Sequence, residues 1–136
     1  MEFRENALTY NEYKDLRASM GWADFGRGAS EKALSAGYCV AAFDGEKPVA
    51  MGRLITDGLY RLIVDVVVRP EYQRKGLGSR IVKKLAEYRE SITPVGGRIS
   101  LTLLSNPGIE EFYEKQGFKT LPDKNTGSGM RKVIHK

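Results

Sequence analysis

Val66-Val67-Val68-Arg69-Pro70-Glu71-Tyr72-Gln73-Arg74-Lys75-Gly76-Leu77-Gly78-Ser79 reads as a strand end, a stop at Pro70, a basic loop with two glycines and a helix start. Leu62 to Val68 is apolar and rich in β-branched residues apart from Asp65, which suits a central strand buried on both faces. Pro70 has no N–H for a ladder, so the strand should end before it. From Leu77 onward Leu77, Ile81, Leu85 and Tyr88 recur at helical spacing, while Arg80, Lys83, Lys84 and Glu87 fall elsewhere.

The first turn of a helix leaves backbone N–H groups without partners, and the helix dipole places partial positive charge there. Gly76 and Gly78 carry no Cβ, so an anion can approach the main chain closely. Arg74 and Lys75 add full charge. The stretch therefore reads as a diphosphate cradle built mainly from amides. The plainer alternative is a β–turn–helix corner with surface cations. Two common phosphate motifs are excluded: position 81 is Ile where a dinucleotide fingerprint needs glycine, and no Gly-Lys-Ser/Thr occurs.

A chain of 136 residues is about one domain with a real core. It has no apolar run of about 20 residues for a membrane span. The start Met1-Glu2-Phe3-Arg4-Glu5 lacks an apolar signal core, and the single cysteine, Cys39, cannot form an internal disulfide. Both point to a reducing cytoplasm. Cys39 lies in an apolar run and reads as a core residue. The net charge of +5 suits either nucleic acid or a polyanionic cofactor. Between Arg69 and Glu90 seven basic residues face three acidic ones. This excess surrounds the cradle without the interleaved aromatics that stack bases, which favours the cofactor.

Phe3 to Leu8 is expected as a first strand. Thr9-Tyr10-Asn11-Glu12 is a capping box for a helix carrying Tyr13, Leu16 and Met20, ended by Gly21. Trp22 to Gly28 reads as a loop, and Ser30 to Leu34 as a second helix capped by Ser30 and closed by Gly37. Tyr38–Phe43, Lys47–Thr56 and Tyr60–Val68 form an antiparallel meander, with Asp57-Gly58 at the second turn. The cradle helix should run from Leu77 to Glu90, followed by a loop from Ser91 to Gly97. Arg98–Leu103 alternates and should pair parallel to Tyr60–Val68 through a right-handed crossover. Asn106 and Pro107 are the expected N-cap and first residue of another helix, stopped by Gly117. Strands at Phe118–Leu121 and Met130–Ile134, joined by a polar loop able to close over a site, should complete a single mixed α+β domain over residues 1–136.

Gln73-Arg74-Lys75-Gly76-Leu77-Gly78 resembles the Gln/Arg-x-x-Gly-x-Gly signature of the GNAT N-acetyltransferases. Phe112-Tyr113-Glu114-Lys115-Gln116-Gly117-Phe118 resembles that family's second motif, Phe-Tyr-x-x-x-Gly-Phe, with Asn106 seven residues before Tyr113. The resemblance, closest to the small single-domain bacterial type, covers nearly the whole chain; Phe3 to Ser35 is its weakest part. It implies the acyl-CoA N-acyltransferase fold: a mixed central sheet, an antiparallel meander plus one parallel crossover pair, flanked by helices. It implies acetyl-CoA as co-substrate and no metal. Main-chain groups of Val66, Val67 and Val68 would meet the pantetheine, with a bulge splaying their strand from Arg98–Leu103. Gln73, Arg74, Lys75, Gly76, Leu77, Gly78 and Ser79 would hold the pyrophosphate. Asn106 would either touch the pantetheine or cap its helix. Tyr113 would act as general acid at the thioester sulfur, against the alternative of a core aromatic.

An alkylamine has a pKa of about 10.4, so near pH 7 under about 1 in 1,000 molecules is a free nucleophile, a shortfall of about 4–5 kcal/mol that a base or a desolvating pocket must help supply. An α-amine, at about 7.7–8.0, needs far less. A phenol of pKa about 10 is a reluctant donor to a thiolate of about 8.5, so Tyr113 would donate a hydrogen bond and complete proton transfer late. Asp65 is the one acid in its strand and costly to bury unpaired. It resembles the acid of the polyamine-acetylating branch, which faces the substrate amine; the alternative is an internally bonded aspartate. The peptide N-terminal branch carries a glutamate where this chain has Leu101, so no base is expected from that strand. Trp22, Phe25 and Arg27 fall where the family builds its acceptor pocket. His135 reads as a tail residue. One histidine and one cysteine exclude a nucleophilic triad and a His/Cys metal cage.

The expected activity is direct acetyl transfer from acetyl-CoA to a primary amine of a polyamine- or amino-acid-like small molecule. Alternatives are a protein or peptide amine as acceptor, a non-catalytic acyl-CoA sensor, and a nucleic-acid-binding domain. The expected partners include neither a membrane nor nucleic acid, and a homodimer stays open.

Overall fold

The meander of the sequence is present as three long strands in a five-stranded sheet of order β1-β2-β3-β4-β5. In the computed structural model, which describes residues 1–88 and 96–136, the strands are β1 (Glu2–Glu5), β2 (Tyr38–Asp44), β3 (Lys47–Thr56), β4 (Tyr60–Val68) and β5 (Ser100–Leu103). The helices are α1 (Tyr10–Ser19), α2 (Arg27–Ala36), α3 (Leu77–Ala86) and α4 (Glu110–Glu114). The chain divides into two compact units, Met1–Leu103 and Leu104–Lys136.

In the first unit β1 to β4 pair antiparallel in succession, and β5 pairs parallel to β4. This is the expected mixed sheet. The turn into β4 is tied by Asp57, whose carboxylate accepts from the main-chain N–H groups of Leu59 at 2.8 Å and Tyr60 at 3.0 Å. Those two bonds hold its pKa below the usual carboxylate value. The capping box of α1 is formed in both directions: Glu12 N donates to Thr9 Oγ1 at 3.2 Å and Thr9 N to Glu12 Oε1 at 2.9 Å.

Tyr13 and Leu16 of α1 join Ala41, Phe43, Met51 and Val67 in one buried cluster, with Leu8, Met20, Trp22 and Leu34 around it. α3 buries Leu77, Ile81, Val82 and Leu85 and packs on β2, β3 and β4. Its seat on β3 is Gly52, where an added Cβ would lie 2.6 Å from Ile81 Cγ2 and 2.8 Å from Leu85 Cδ1. The glycine lets the helix approach the strand closely enough to fix where its first turn points.

Several boundaries differ from expectation. β1 stops at Glu5, before Leu8. α2 begins at Arg27 with Gly26 as N-cap, so Ser30 is buried inside the helix and does not cap it. α3 ends at Ala86. Tyr88 has left the helix; its ring stacks on Tyr38 at 4.3 Å, and its carbonyl accepts from Arg61 Nη1 at 2.6 Å. The expected helix end at Glu90 and the loop from Ser91 to Val95 lie outside the described residues. Arg98 and Ile99 precede β5 and lie outside the strand.

In the second unit Asn106 does not cap a helix. Asn106-Pro107-Gly108-Ile109 is a turn closed by Ile109 N to Asn106 O at 3.4 Å, with Gly108 at φ +87°. Proline then glycine at the two central positions favours that turn over a helical start, and α4 begins only at Glu110. Phe118–Leu121 and Met130–Ile134 form no strands, and residues 119–136 are exposed. Among the described residues this unit contains no strand for either segment to pair with.

Gly52→Ala should lower stability by about 1–3 kcal/mol, as overpacking of a close-packed core does, read from the urea midpoint. An unchanged midpoint would mean that α3 does not rest on this glycine.

Candidate active site

β4 changes its pairing part-way along. Against β3 the register runs Leu54↔Ile63 and Arg53↔Val64, then jumps to Met51↔Val67, so Asp65 and Val66 together oppose Gly52. This is a β-bulge, and Asp65 stands in it at φ +53°, a conformation tolerated by aspartate better than by most residues. Pairing with β5 ends at Ile63↔Leu103. From Val64 to Val68, β4 therefore has no β5 partner among the described residues. Val66 and Val68 are half-buried and Val67 is buried. A bulge was expected at Val66–Val68 and is found at Asp65–Val66, on the β3 side of the strand.

Beyond Val68, Arg69 binds back to β3, its N–H to Val49 O and its Nε to Pro48 O, each at 2.9 Å. Pro70–Tyr72 makes one 3-10 turn. Tyr72 donates to Asp44 Oδ2 at 2.6 Å, pinning that turn to the β2–β3 hairpin. Gln73 Nε2 donates to Val68 O at 3.0 Å, so this side chain ties the loop to the strand end. Arg74 at φ +63° and Gly76 at φ +79° turn the chain twice into the left-handed region. The main-chain N–H groups of Gly76, Leu77, Gly78 and Ser79 have no acceptor among the described residues. Gly76 opens onto free space, and Arg74 and Lys75 are exposed beside it. This arrangement can bind a diphosphate through amides and two exposed cations.

The inner side of the bulge is ionic. Asp65 Oδ1 accepts from Arg17 Nη1 at 2.7 Å, and Oδ2 accepts from Tyr13 Oη at 2.5 Å and Arg53 Nε at 2.9 Å. The side chains of Asp65, Arg17 and Arg53 are only 10–11% exposed. Burial, then the bond to Asp65, pushes the Tyr13 hydroxyl up to about 12, so it remains a donor at neutral pH. The base anticipated at Asp65 thus meets a carboxylate with both oxygens already engaged; the internally bonded alternative describes this geometry. Tyr13, Arg17 and Arg53 were not anticipated as site residues. One available signal was Arg53, a lone charge inside the apolar strand Lys47–Thr56.

Arg17 also organises the loop between α1 and α2. Its Nε donates to Ala23 O at 3.0 Å, and its guanidinium lies 4.2 Å from the Phe25 ring centroid and 5.4 Å from that of Trp22. Asp24 shapes the same loop, accepting from Tyr10 Oη at 2.5 Å and Gly26 N at 2.9 Å. Phe25 remains 64% exposed. Arg27, 4.7 Å above the Tyr10 ring, pairs loosely with Glu31.

In the second unit Tyr113 of α4 is buried, with ring contacts to Phe112 at 4.9 Å and Phe118 at 5.9 Å. Burial raises its pKa. Its carbonyl accepts from Gln116 N and Phe118 N, folding the chain back after α4. Asn106 is exposed in its turn.

Other candidates fall away. Burial pushes the Cys39 thiol up to about 12, and His135 is exposed in the tail. No described helix is long and apolar enough to cross a membrane, and no three described His, Cys, Asp or Glu residues are grouped to hold a metal. A surface depression of about 420 Å³ includes Ile55, Tyr60 and Thr102. It opens at the Tyr60 end of β4, about 26 Å along the strand from Val68 at 3.3 Å per residue, and is not continuous with the cradle.

The cradle and the bulge fall within a family match: the model of the acetyltransferase (GNAT) domain fits residues 35–120. The chain belongs to the GNAT acetyltransferase family. GCN5-related N-acetyltransferase 1, chloroplastic, of Arabidopsis thaliana is 37% identical over 78 residues, covering 57% of this chain and 38% of that protein. Serotonin N-acetyltransferase 2, chloroplastic, of Oryza sativa subsp. japonica is 34% identical over 85 residues, covering 61% and 40%. The GNAT chain thus spans about two fifths of the length of these curated relatives. A solved structure of a protein of unknown function from meticillin-resistant Staphylococcus aureus, described as a probable acetyltransferase, matches with a TM-score of 0.81 at 27% identity, covering 98% of each chain.

Two measurements test the electrostatics of this site. Arg53→Met removes one partner of a buried ion pair and should cost about 3–5 kcal/mol, read from denaturant unfolding. Cys39 should resist alkylation at pH 8 in the native protein, because so little thiolate forms, and react promptly once unfolded.

Proposed function

We propose that this chain is an acetyl-CoA-dependent N-acetyltransferase that passes the acetyl group directly to a primary amine of a small molecule. The observation that carries the reading is the joining of a bulged β4 to an amide cradle at the start of α3. The edge of β4 at Val66–Val68, which has no β5 partner among the described residues, suits an amide-bearing pantetheine, with Val68 O already accepting from Gln73 Nε2, and the amides of Gly76–Ser79 suit a pyrophosphate. Arg74 and Lys75 supply neutralising charge. The bound co-substrate would contribute an acetyl thioester, activated toward attack by an amine. Tyr113 would donate a hydrogen bond to the departing sulfur. Its raised pKa makes it a donor that keeps its proton until late.

Charge supports one acceptor class over another. A polyamine brings at least two positive charges and calls for free carboxylates, whereas Asp65 is already neutralised by two guanidiniums. An amino-acid-like or aromatic primary amine suits the loop bearing Trp22 and exposed Phe25 better, and one relative is named for serotonin. With no free base assigned on β4, an acceptor whose amine titrates near pH 8 needs the least help.

Calorimetry should give saturable acetyl-CoA binding. Gly76→Glu, which places a carboxylate at the amide cradle, should weaken that binding at least about tenfold, the equivalent of about 1.4 kcal/mol. Absence of binding by the wild-type chain would sink the reading. Tyr113→Phe should cut turnover by about 10²-fold or more with little change in acetyl-CoA affinity; unchanged turnover would remove its donor role. A panel of aromatic amines, amino acids, polyamines and peptides, scored by mass spectrometry of the acetylated product, separates the acceptor classes. Acetyl-CoA binding with no product from any amine would favour an acyl-CoA sensor.

A further inference from the structure

We infer that Arg17, through Asp65, is a positioning residue that ties the acceptor-side loop to the bulge of β4, so that acetyl-CoA on β4 and the setting of Trp22 and Phe25 are coupled. This rests on the reading of β4 and the cradle as an acetyl-CoA site.

Asp65 occupies the turning point of the bulge, at φ +53°. A residue is held in that region where its surroundings over-determine it, and here three donors do so. Tyr13 and Arg17 come from α1 and Arg53 from β3. Any ligand that pairs with Val66–Val68 acts on the chain one residue from this clamp. Arg17 extends the clamp outward. Its Nη1 holds Asp65 at 2.7 Å while its Nε holds Ala23 O at 3.0 Å. The guanidinium carbon lies 4.2 Å from the Phe25 ring centroid and 5.4 Å from that of Trp22. One rigid planar group therefore touches the bulge, the loop backbone and both loop aromatics. A lysine has neither the second fixed donor nor the flat face. An ion pair serving stability alone would need no contact with the loop carbonyl or with exposed Phe25.

Trp22 is the sole tryptophan, so the intrinsic emission reports this loop. The full-length wild-type chain, Arg17→Lys, Arg17→Met and Asp65→Asn are titrated with acetyl-CoA, following tryptophan emission and calorimetric heat in parallel. Wild type should show an emission change that saturates with the calorimetric dissociation constant. Arg17→Lys should still bind acetyl-CoA while losing most of that emission change, and its acceptor KM should rise by about fivefold or more, the lower range of site-to-site coupling. Asp65→Asn, which tolerates the same backbone conformation, should also lose the emission change, with turnover at saturation reduced by no more than about tenfold. Loss of a general base would instead cost about 10²–10⁴-fold.

A full emission response in Arg17→Lys and Arg17→Met would overturn the inference. So would Asp65→Asn losing turnover in that larger range with binding and emission unaltered, because Asp65 would then be the base. If Arg17→Met fails to fold, Arg17→Lys decides, since it retains a cation beside Asp65. Wild type that binds no acetyl-CoA overturns the proposed function and this inference together. Wild type that binds it without a Trp22 response overturns the coupling alone.

Discussion

A buried strand must find partners for all its main-chain groups, and β4 meets that demand differently at its two ends. Through Ile63 it is paired on both sides; beyond Ile63 its only strand partner among the described residues is β3. The bulge opposite Gly52 lies within the singly paired half, where an extra residue disrupts one ladder rather than two. The open half of β4 then runs into the cradle, so the strand edge and the amides are consecutive in sequence and in space. Their relative placement requires no long-range docking step.

Charge at this site is arranged on two principles. Around the cradle the cations are exposed, suited to a ligand that arrives with its own negative charge. Behind the bulge they are buried and fixed on Asp65, so they are unavailable to a ligand without displacement. A buried ionic cluster of this kind adds little net stability compared with an apolar one of the same shape. Its presence is better understood through the geometry it imposes on a residue at positive φ.

The sequence made local features legible. The capping box at Thr9–Glu12, the Asp57-Gly58 turn, the glycine loop and the amphipathic face of α3 each depend on residues a few positions apart. Asp65 was visible as an oddity, but its partners Tyr13, Arg17 and Arg53 lie 52, 48 and 12 residues away in the chain, beyond any periodic pattern. Asn106-Pro107 misled because proline serves a helix start and a turn equally, and Gly108 decides for the turn. Ser30 misled because Gly26, four residues earlier, already opens α2. The apolar residues of Met130–Ile134 support a strand only where an edge is offered.

Gly52 also bears on precision. A helix resting on side chains inherits their rotameric noise, since each contact can be made in more than one way. α3 meets β3 at one bare backbone position, Gly52, so its height there is set by that main chain and two fully buried side chains, Ile81 and Leu85. The first turn of the helix, where the amides point outward, begins one turn before that support. The tolerance on the amide positions is therefore set by the packing of two buried side chains on one glycine, and surface changes elsewhere on α3 can accumulate without altering that contact.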